Sequence, residues 1–268
     1  MEYINGYLNY TGNKFKLLKQ IIPEMDYTKD YFVDLFTGSF VVGANVIDKY
    51  KMILANDIIK DLIGIHKGIL ESDDIIENVK ILSNVKDDQA AYNRLRDSYN
   101  KEKTPEKLWA LILSCNSNLI RFNKQGKFNQ TWGKRQFSSA TQKKVDIFTK
   151  HIRPYKDKII FTSQHFNEIK IKKPSMIYMD PPYSNTSAGY NNYWEKDDDI
   201  KLYEYCKELD KNGSSFMVSG VLKHNGVRCV LLDKLISDGY IIKELEYNYN
   251  KVSKIGKKES EEIIIKNY

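Results

Sequence analysis

Met176-Ile177-Tyr178-Met179-Asp180-Pro181-Pro182-Tyr183 is the stretch on which the fold turns. Four apolar residues read as a buried strand and run without a break into an aspartate and two prolines. The residue before a proline is driven into extended backbone, and the second proline fixes the turn that follows. In an open α/β sheet such a strand end faces the crevice where ligands bind, so the Asp180 carboxylate is expected to point into a cleft. Outward from this strand at Met176–Asp180, short apolar and β-branched runs predict others near Tyr31–Phe36, Met52–Asn56, Lys158–Thr162, Ser215–Ser219, Tyr240–Tyr247 and Glu262–Lys266. Helices are predicted near Lys14–Ile22, Val41–Tyr50, Ile58–Leu70, Asp199–Lys211 and Val227–Ser237. Strands and helices in alternation make a doubly wound α/β sheet of seven strands the expected fold.

Two further strand ends carry chemistry. Phe32-Val33-Asp34-Leu35-Phe36 is followed by Thr37-Gly38-Ser39-Phe40 and a helix. Glycine lets the backbone turn tightly beside a ligand, and Asp34 is placed there to meet a positive group. The next strand closes on Asn56-Asp57, where an acidic residue accepts hydrogen bonds from ribose hydroxyls. Asp57 also suits the N-cap of the Ile58–Leu70 helix, and the two roles are compatible. His224-Asn225-Gly226 reads as a turn and helix start, and Asn185–Tyr193 as a loop that orders over a ligand.

The 268 residues carry 42 Lys and Arg against 35 Asp and Glu, a net charge of +7. Between Ser114 and Lys158 eleven basic residues face two acidic ones, so this stretch holds a surplus of nine and the remainder is slightly acidic. Localised basicity is what a polyanion-binding face requires. The same region lacks strand alternation: Asp87–Lys101 and Pro105–Asn118 read as helices, and Arg121–Arg135, with Gly126 and Gly133, reads as a basic hairpin. Residues 72–156 are therefore expected to form a helical insertion, with a catalytic domain built from 1–71 and 157–268. No apolar run approaches a membrane span, and the N-terminus shows no secretory pattern. Three widely spaced cysteines and four histidines without ligand spacing exclude a disulfide framework and predict no metal.

The order of these elements resembles the Dam family of DNA adenine methyltransferases. The likeness rests on YTGNK at 10–14, FVDLF at 32–36, LAND at 54–57, SNLIR at 117–121, Gly-Lys-Arg at 133–135, His165-Phe166 and DPPY at 180–183. It implies a Rossmann-like methyltransferase sheet, S-adenosylmethionine as cofactor, double-stranded DNA as partner, and a monomer in a bacterial or phage-infected cytoplasm. By the same resemblance Tyr10, Lys14, Asp34, Phe36, Gly38, Asp57, His165, Phe166 and Asp180 line the cofactor site. Asp180, Pro181, Pro182 and Tyr183 form the floor on which a flipped adenine reacts, with Tyr183 stacking on the base.

The chemistry fits independently. An aromatic amine is a poor nucleophile because its lone pair is delocalised. Hydrogen bonds from the amino group to Asp180 and the Pro181 carbonyl free that pair for attack on a sulfonium methyl. No strong base is needed, because the proton becomes acidic once the methyl is attached. The insertion then reads as the DNA-recognition unit, with Arg121 on a guanine edge, Leu119 on a thymine methyl, and Lys134 and Arg135 on phosphates. Lys14 is placed to touch the base next to the target. Ser117, Asn123 and Thr131 complete the DNA-facing set. GATC is the recognition sequence the resemblance favours, although Ser39, Asn116 and Thr131 stand where relatives carry a glycine, an aromatic and a proline. A methyltransferase acting on protein glutamine or a small amine uses similar turns, and a catalytically silent DNA-binding relative is the other alternative; the basic insertion speaks against the first and an intact DPPY against the second.

Overall fold

The computed structural model describes residues 2–171, 173–182, 194, 196–224, 226–246 and 260–268. Its strands are β1 (Tyr31–Asp34), β2 (Met52–Asn56), β3 (Ile159–Thr162), β4 (Met176–Met179), β5 (Ser215–His224), β6 (Val227–Arg228), β7 (Ile241–Glu244) and β8 (Ser260–Lys266). They form one sheet in the order β3-β2-β1-β4-β5-β8-β7, with β6 paired to β5. The run from β3 to β5 is parallel, and β8 lies antiparallel between β5 and β7. This is the Rossmann-like α/β sheet expected from the strand pattern.

Alternation along each strand decides the layering, because successive side chains leave opposite faces. Phe32, Ile53, Met176, Tyr178, Met217 and Ile264 enter one buried cluster. Val33, Leu35, Ile177, Met179, Phe216, Ile263 and Ile265 enter the other. The second face is covered by α8 (Lys196–Lys211) and α9 (Val230–Ser237). The first face is covered by α1 (Leu18–Ile21), α2 (Val41–Asn45) and α3 (Lys60–Glu71).

Residues 72–156 add α4 (Asp74–Leu82), α5 (Gln89–Lys101), α6 (Pro105–Ser114) and α7 (Ser139–Ile152). Their starts are chemically marked: Asp88, Thr104 and Ser138 each accept a first-turn N–H, and Pro105 follows Thr104 at the first helical position. Tyr92, Trp109 and Phe148 are buried in the same cluster as Phe32 and Tyr178, so this segment packs on the sheet layer through a shared core. Between α6 and α7 the chain pairs antiparallel at Cys115–Trp132 and Phe122–Phe128. Gly133 is required at its base, since a Cβ there would sit 2.3 Å from the Cys115 carbonyl oxygen.

Several boundaries differ from the sequence reading. The Lys14–Ile22 helix is broken into 3₁₀ and α turns between Lys14 and Glu24. The helix predicted to Tyr50 stops at Asn45, whose amide is bonded to both Val41 O and Ile4 O, while its Oδ1 accepts from Ile4 N. The Pro105–Asn118 helix ends at Ser114, and a kinked 3₁₀ turn, Asn116–Asn118, follows. β5 runs on to His224 and pairs with Val227, so the predicted helix start at Val227 becomes a strand and α9 begins at Val230. His224 is thus a strand end and not a helix start. The helix predicted from Asp199 begins earlier, at Lys196. The predicted loop 185–193 lies outside the described residues.

Gly64 tests how tightly the 72–156 segment is docked on α3. An alanine in a helix interior gains about 1 kcal/mol over glycine. Here its Cβ would fall 2.4 Å from Pro105 Cγ at the start of α6, and overpacking against a rigid ring costs about 1–3 kcal/mol. Gly64→Ala should therefore lower the urea midpoint, and a raised midpoint would show that the contact is loose.

Candidate active site

β1, β2 and β4 are adjacent or nearly so in the sheet, and each ends in, or just before, an acidic residue. Register pairs Asp34 with both Ala55 and Tyr178, which brings Asp34, Asp57 and Asp180 to the same edge. They line a cleft of about 1050 Å³ counted to its open mouth. The cofactor positions inferred from sequence, Tyr10, Lys14, Asp34, Phe36, Gly38, Asp57, His165, Phe166 and Asp180, are all on its wall, as are Pro181 and Pro182. Tyr183 lies outside the described residues.

Lys14 and Ser219 both donate to Asp180. Lys14 Nζ lies 2.6 Å from Oδ2, and Ser219 Oγ donates to Oδ1 at 3.2 Å. The Tyr178 hydroxyl, 2.8 Å from Ser219 Oγ, completes a buried chain beneath the carboxylate. Burial and the nearby Asp180 charge push the Tyr178 phenol well above its usual range, so it stays protonated and donates. Lys14 also points its ammonium at the Gly12 carbonyl (3.3 Å) and lies 3.9 Å from Glu262 Oε1.

The other two carboxylates are shaped by burial. Asp34 accepts from Thr37 Oγ1 and Gly43 N, yet desolvation, reinforced by Asp180 and Asp57, lifts its pKa to about 7. Asp57 accepts from Ile59 N and Gly38 N, and burial lifts it to about 6. Asp57 is thus not the N-cap expected from the sequence: α3 begins at Lys60 with Ile59 as its N-cap, because the Asp57 carboxylate closes a turn onto Ile59 N with one oxygen and fixes the glycine loop with the other. Gly38 has φ +48°, and a Cβ there would press on the Tyr10 ring at 3.0 Å, so a bare α-carbon is favoured on both counts. Phe36, Phe166 and Trp194 form an aromatic group with centroids 5.4–5.7 Å apart, and His165 lies 4.6 Å from Phe166.

The positions inferred to face DNA are spread over the 115–135 segment. Arg121 donates from Nε to Asn129 Oδ1 and from one terminal nitrogen to Asn129 O, which orients its fork and leaves three N–H groups without a bond to the described residues. Asn123 is a turn-former: its Oδ1 accepts from Gln125 N and Lys127 N. Arg135 donates to Asn118 Oδ1 at 2.6 Å, and Lys134 lies over the Trp132 ring. Ser117 has positive φ, Leu119 is half-buried, and the Thr131 carbonyl accepts from Asn116 N.

Sequence reasoning missed Ser219, Glu262, His66 and Asn56. Glu262 had a visible signal, an acid inside the apolar strand EIIIK. Asn56 ties three strand ends, donating to the Leu35 and Gln164 carbonyls and accepting from Thr162 Oγ1. His66 sits on the apolar face of α3, a place where a histidine needs buried partners. Among the described residues no cluster of three or more His, Cys, Asp or Glu is placed to hold a metal ion. No described helix is long and apolar enough to cross a membrane.

Comparison with known proteins gives a consistent family. Residues 10–251 match the model described as D12 class N6 adenine-specific DNA methyltransferase. The chain is 33% identical to type II methyltransferase M.FokI of Planomicrobium okeanokoites, across 100% of this chain and 43% of that protein. It is 30% identical to modification methylase LlaI of Lactococcus lactis subsp. lactis, across 97% and 43%. A DNA adenine methylase of Serratia marcescens is 24% identical over 71% of each chain. The chain thus spans under half the length of the first two relatives.

The raised pKa of Asp34 has a definite linkage. Between about 4 and about 7 the folded carboxyl holds a proton that the unfolded one releases, so this group lowers stability as pH rises through that window. Asp34→Asn keeps the acceptor oxygen and removes the charge. The difference in unfolding free energy between variant and wild type should grow in the variant's favour from about pH 4 to about pH 7 and then level off. A difference independent of pH, measured by urea unfolding, would contradict the buried-charge account.

Proposed function

This chain belongs to the family of D12 class N6 adenine-specific DNA methyltransferases, and we propose that it moves a methyl group from S-adenosylmethionine to the 6-amino group of an adenine flipped out of duplex DNA. The observation that carries this reading is the Asp180 carboxylate, fixed by Lys14 and Ser219 in the same cleft as Asp34, Gly38 and Asp57. The donor set suits the cofactor. Asp57 offers a carboxylate to ribose hydroxyls, Asp34 offers buried negative charge to a cationic end, and Phe36 and Phe166 offer apolar surface to a purine. When bound, S-adenosylmethionine supplies an electrophilic methyl group on positively charged sulfur.

The chain's own part is to make the adenine amine attack. Lys14 and Ser219 orient the Asp180 carboxylate, which accepts one amino N–H. The Pro181 carbonyl, fixed by the two-proline turn, takes the second N–H. Both bonds strengthen as positive charge grows on the nitrogen, which lowers the barrier more than they stabilise the ground state. One N–C bond forms, the sulfur keeps the pair of the broken bond, and the surplus amine proton leaves to water.

Residues 72–156 serve in this reading as the DNA-recognition unit, with the surplus of basic residues against the phosphates. Arg121, its fork oriented by Asn129, has N–H groups left for a guanine edge. GATC is the proposed site, supported by the SNLIR and Gly-Lys-Arg segments on which the resemblance to the Dam family rests. Asn116 and Thr131 depart from the family pattern within that reading apparatus.

Methyl transfer to duplexes with and without GATC, followed by mapping of N6-methyladenine, tests the reading. Asp180→Ala should lower the transfer rate by about 10²-fold or more while cofactor and DNA still bind. Full activity in that variant would overturn the mechanism. Arg121→Ala should relax discrimination at one base pair by about 1–3 kcal/mol. Lys134→Ala should instead weaken binding to all sequences and reduce the salt slope by about 0.9. Methylation confined to a site other than GATC would revise the sequence and leave the chemistry standing.

A further inference from the structure

His66 is a fully buried titratable residue that the reaction does not use. Its Nε2 lies 2.8 Å from the Gly38 carbonyl oxygen and its Nδ1 lies 2.8 Å from the Tyr7 hydroxyl. A carbonyl oxygen only accepts, so Nε2 carries the proton and donates. Nδ1 is then the bare nitrogen and accepts from the Tyr7 O–H. Burial depresses the imidazole's basicity, to a pKa of about 4, which keeps this neutral form at physiological pH. The ring plane is set as well: His66 stacks on Phe161 at 14° and 5.4 Å. Tyr7 is clamped by Trp109 and Phe148, at centroid distances of 5.4 and 4.9 Å.

Gly38 is consequently gripped on both sides of its α-carbon. Its N–H goes to Asp57 and its C=O to His66, while the Tyr10 ring covers the place a side chain would take. The two edges of a trans peptide point opposite ways. A Gly38 carbonyl fixed on His66 therefore turns the N–H of Ser39, itself a cleft residue, away from the imidazole.

We propose that Tyr7 and His66 are positioning residues for the cofactor, holding the glycine loop in its binding shape through a single imidazole tautomer. The inference rests on the reading of this cleft as the S-adenosylmethionine site. A purely structural role would make any loss follow stability. A positioning role makes it follow the donor at Nε2.

Two substitutions separate these. The amide of a glutamine reaches the place of imidazole Nε2 and can donate to Gly38, whereas the shorter asparagine reaches only the place of Nδ1. Binding of S-adenosylmethionine and S-adenosylhomocysteine is measured by calorimetry without DNA, beside urea midpoints and kcat at saturating cofactor. His66→Asn should weaken cofactor binding by about tenfold, the loss of one buried hydrogen bond. His66→Gln should restore most of it even where both variants lose similar stability, and kcat at saturation should move less than KM for the cofactor. Tyr7→Phe, which keeps the clamped ring and frees the tautomer, should give a smaller loss of affinity and covers the case in which His66→Asn does not fold. Cofactor affinity that tracks the urea midpoint, or that is unchanged in Tyr7→Phe and His66→Asn, overturns the proposal. Wild-type protein that fails to bind the cofactor overturns the reading of the cleft instead.

Discussion

Buried negative charge is the constraint around which this protein is arranged. Parallel strands deliver three carboxylates to one cleft, and each would cost several kcal/mol to desolvate unpaired. The chain meets that cost in two ways. Asp180 is paired with Lys14, whose own side chain is only 6% exposed, and takes a second bond from Ser219. Asp34 and Asp57 are instead lifted by burial to about 7 and about 6, so near neutrality they share in holding protons. One side of the cleft thus presents an acceptor paired with Lys14, and the other presents acids that a cation can ionise.

The rest of the fold keeps these groups in register. Strand alternation buries one set of side chains under α1 to α3 and the other under α8 and α9, which leaves the strand ends as the open edge. Asn56 and the glycine loop then tie β1, β2 and β3 together at that edge. The basic segment 72–156 shares its core with the sheet, so the proposed DNA-reading surface and the cleft are parts of one packed body.

Much of this was legible in the residues. Short apolar and β-branched runs located the strands of the main sheet, and the strand-end acids Asp34, Asp57 and Asp180 marked the cleft before any geometry was known. What stayed hidden depends on contacts between distant parts of the chain. Ser219 and Glu262 lie on strands whose sequence says nothing of the neighbour they meet, and the Lys14–Asp180 bond spans 166 positions. His66 reads as one more core position of α3 until Tyr7 and Gly38 are placed against it. The strand extension to His224 was missed because pairing with Val227 outweighed the local turn signal. Asn123 and Arg121 show the converse, since their nearest partners are local turn and cross-strand groups that the motif alone did not disclose.

Calorimetric titration with S-adenosylmethionine in two buffers of different ionisation enthalpy tests the charge account most directly. The pH is set between about 6 and about 7, the range to which burial lifts Asp57 and Asp34. A positively charged ligand entering the cleft should lower both carboxyl pKa values, so binding should release protons and the apparent enthalpy should differ between the buffers. Binding with no proton release would contradict the central claim that burial holds these acids partly neutral until a cation ionises them.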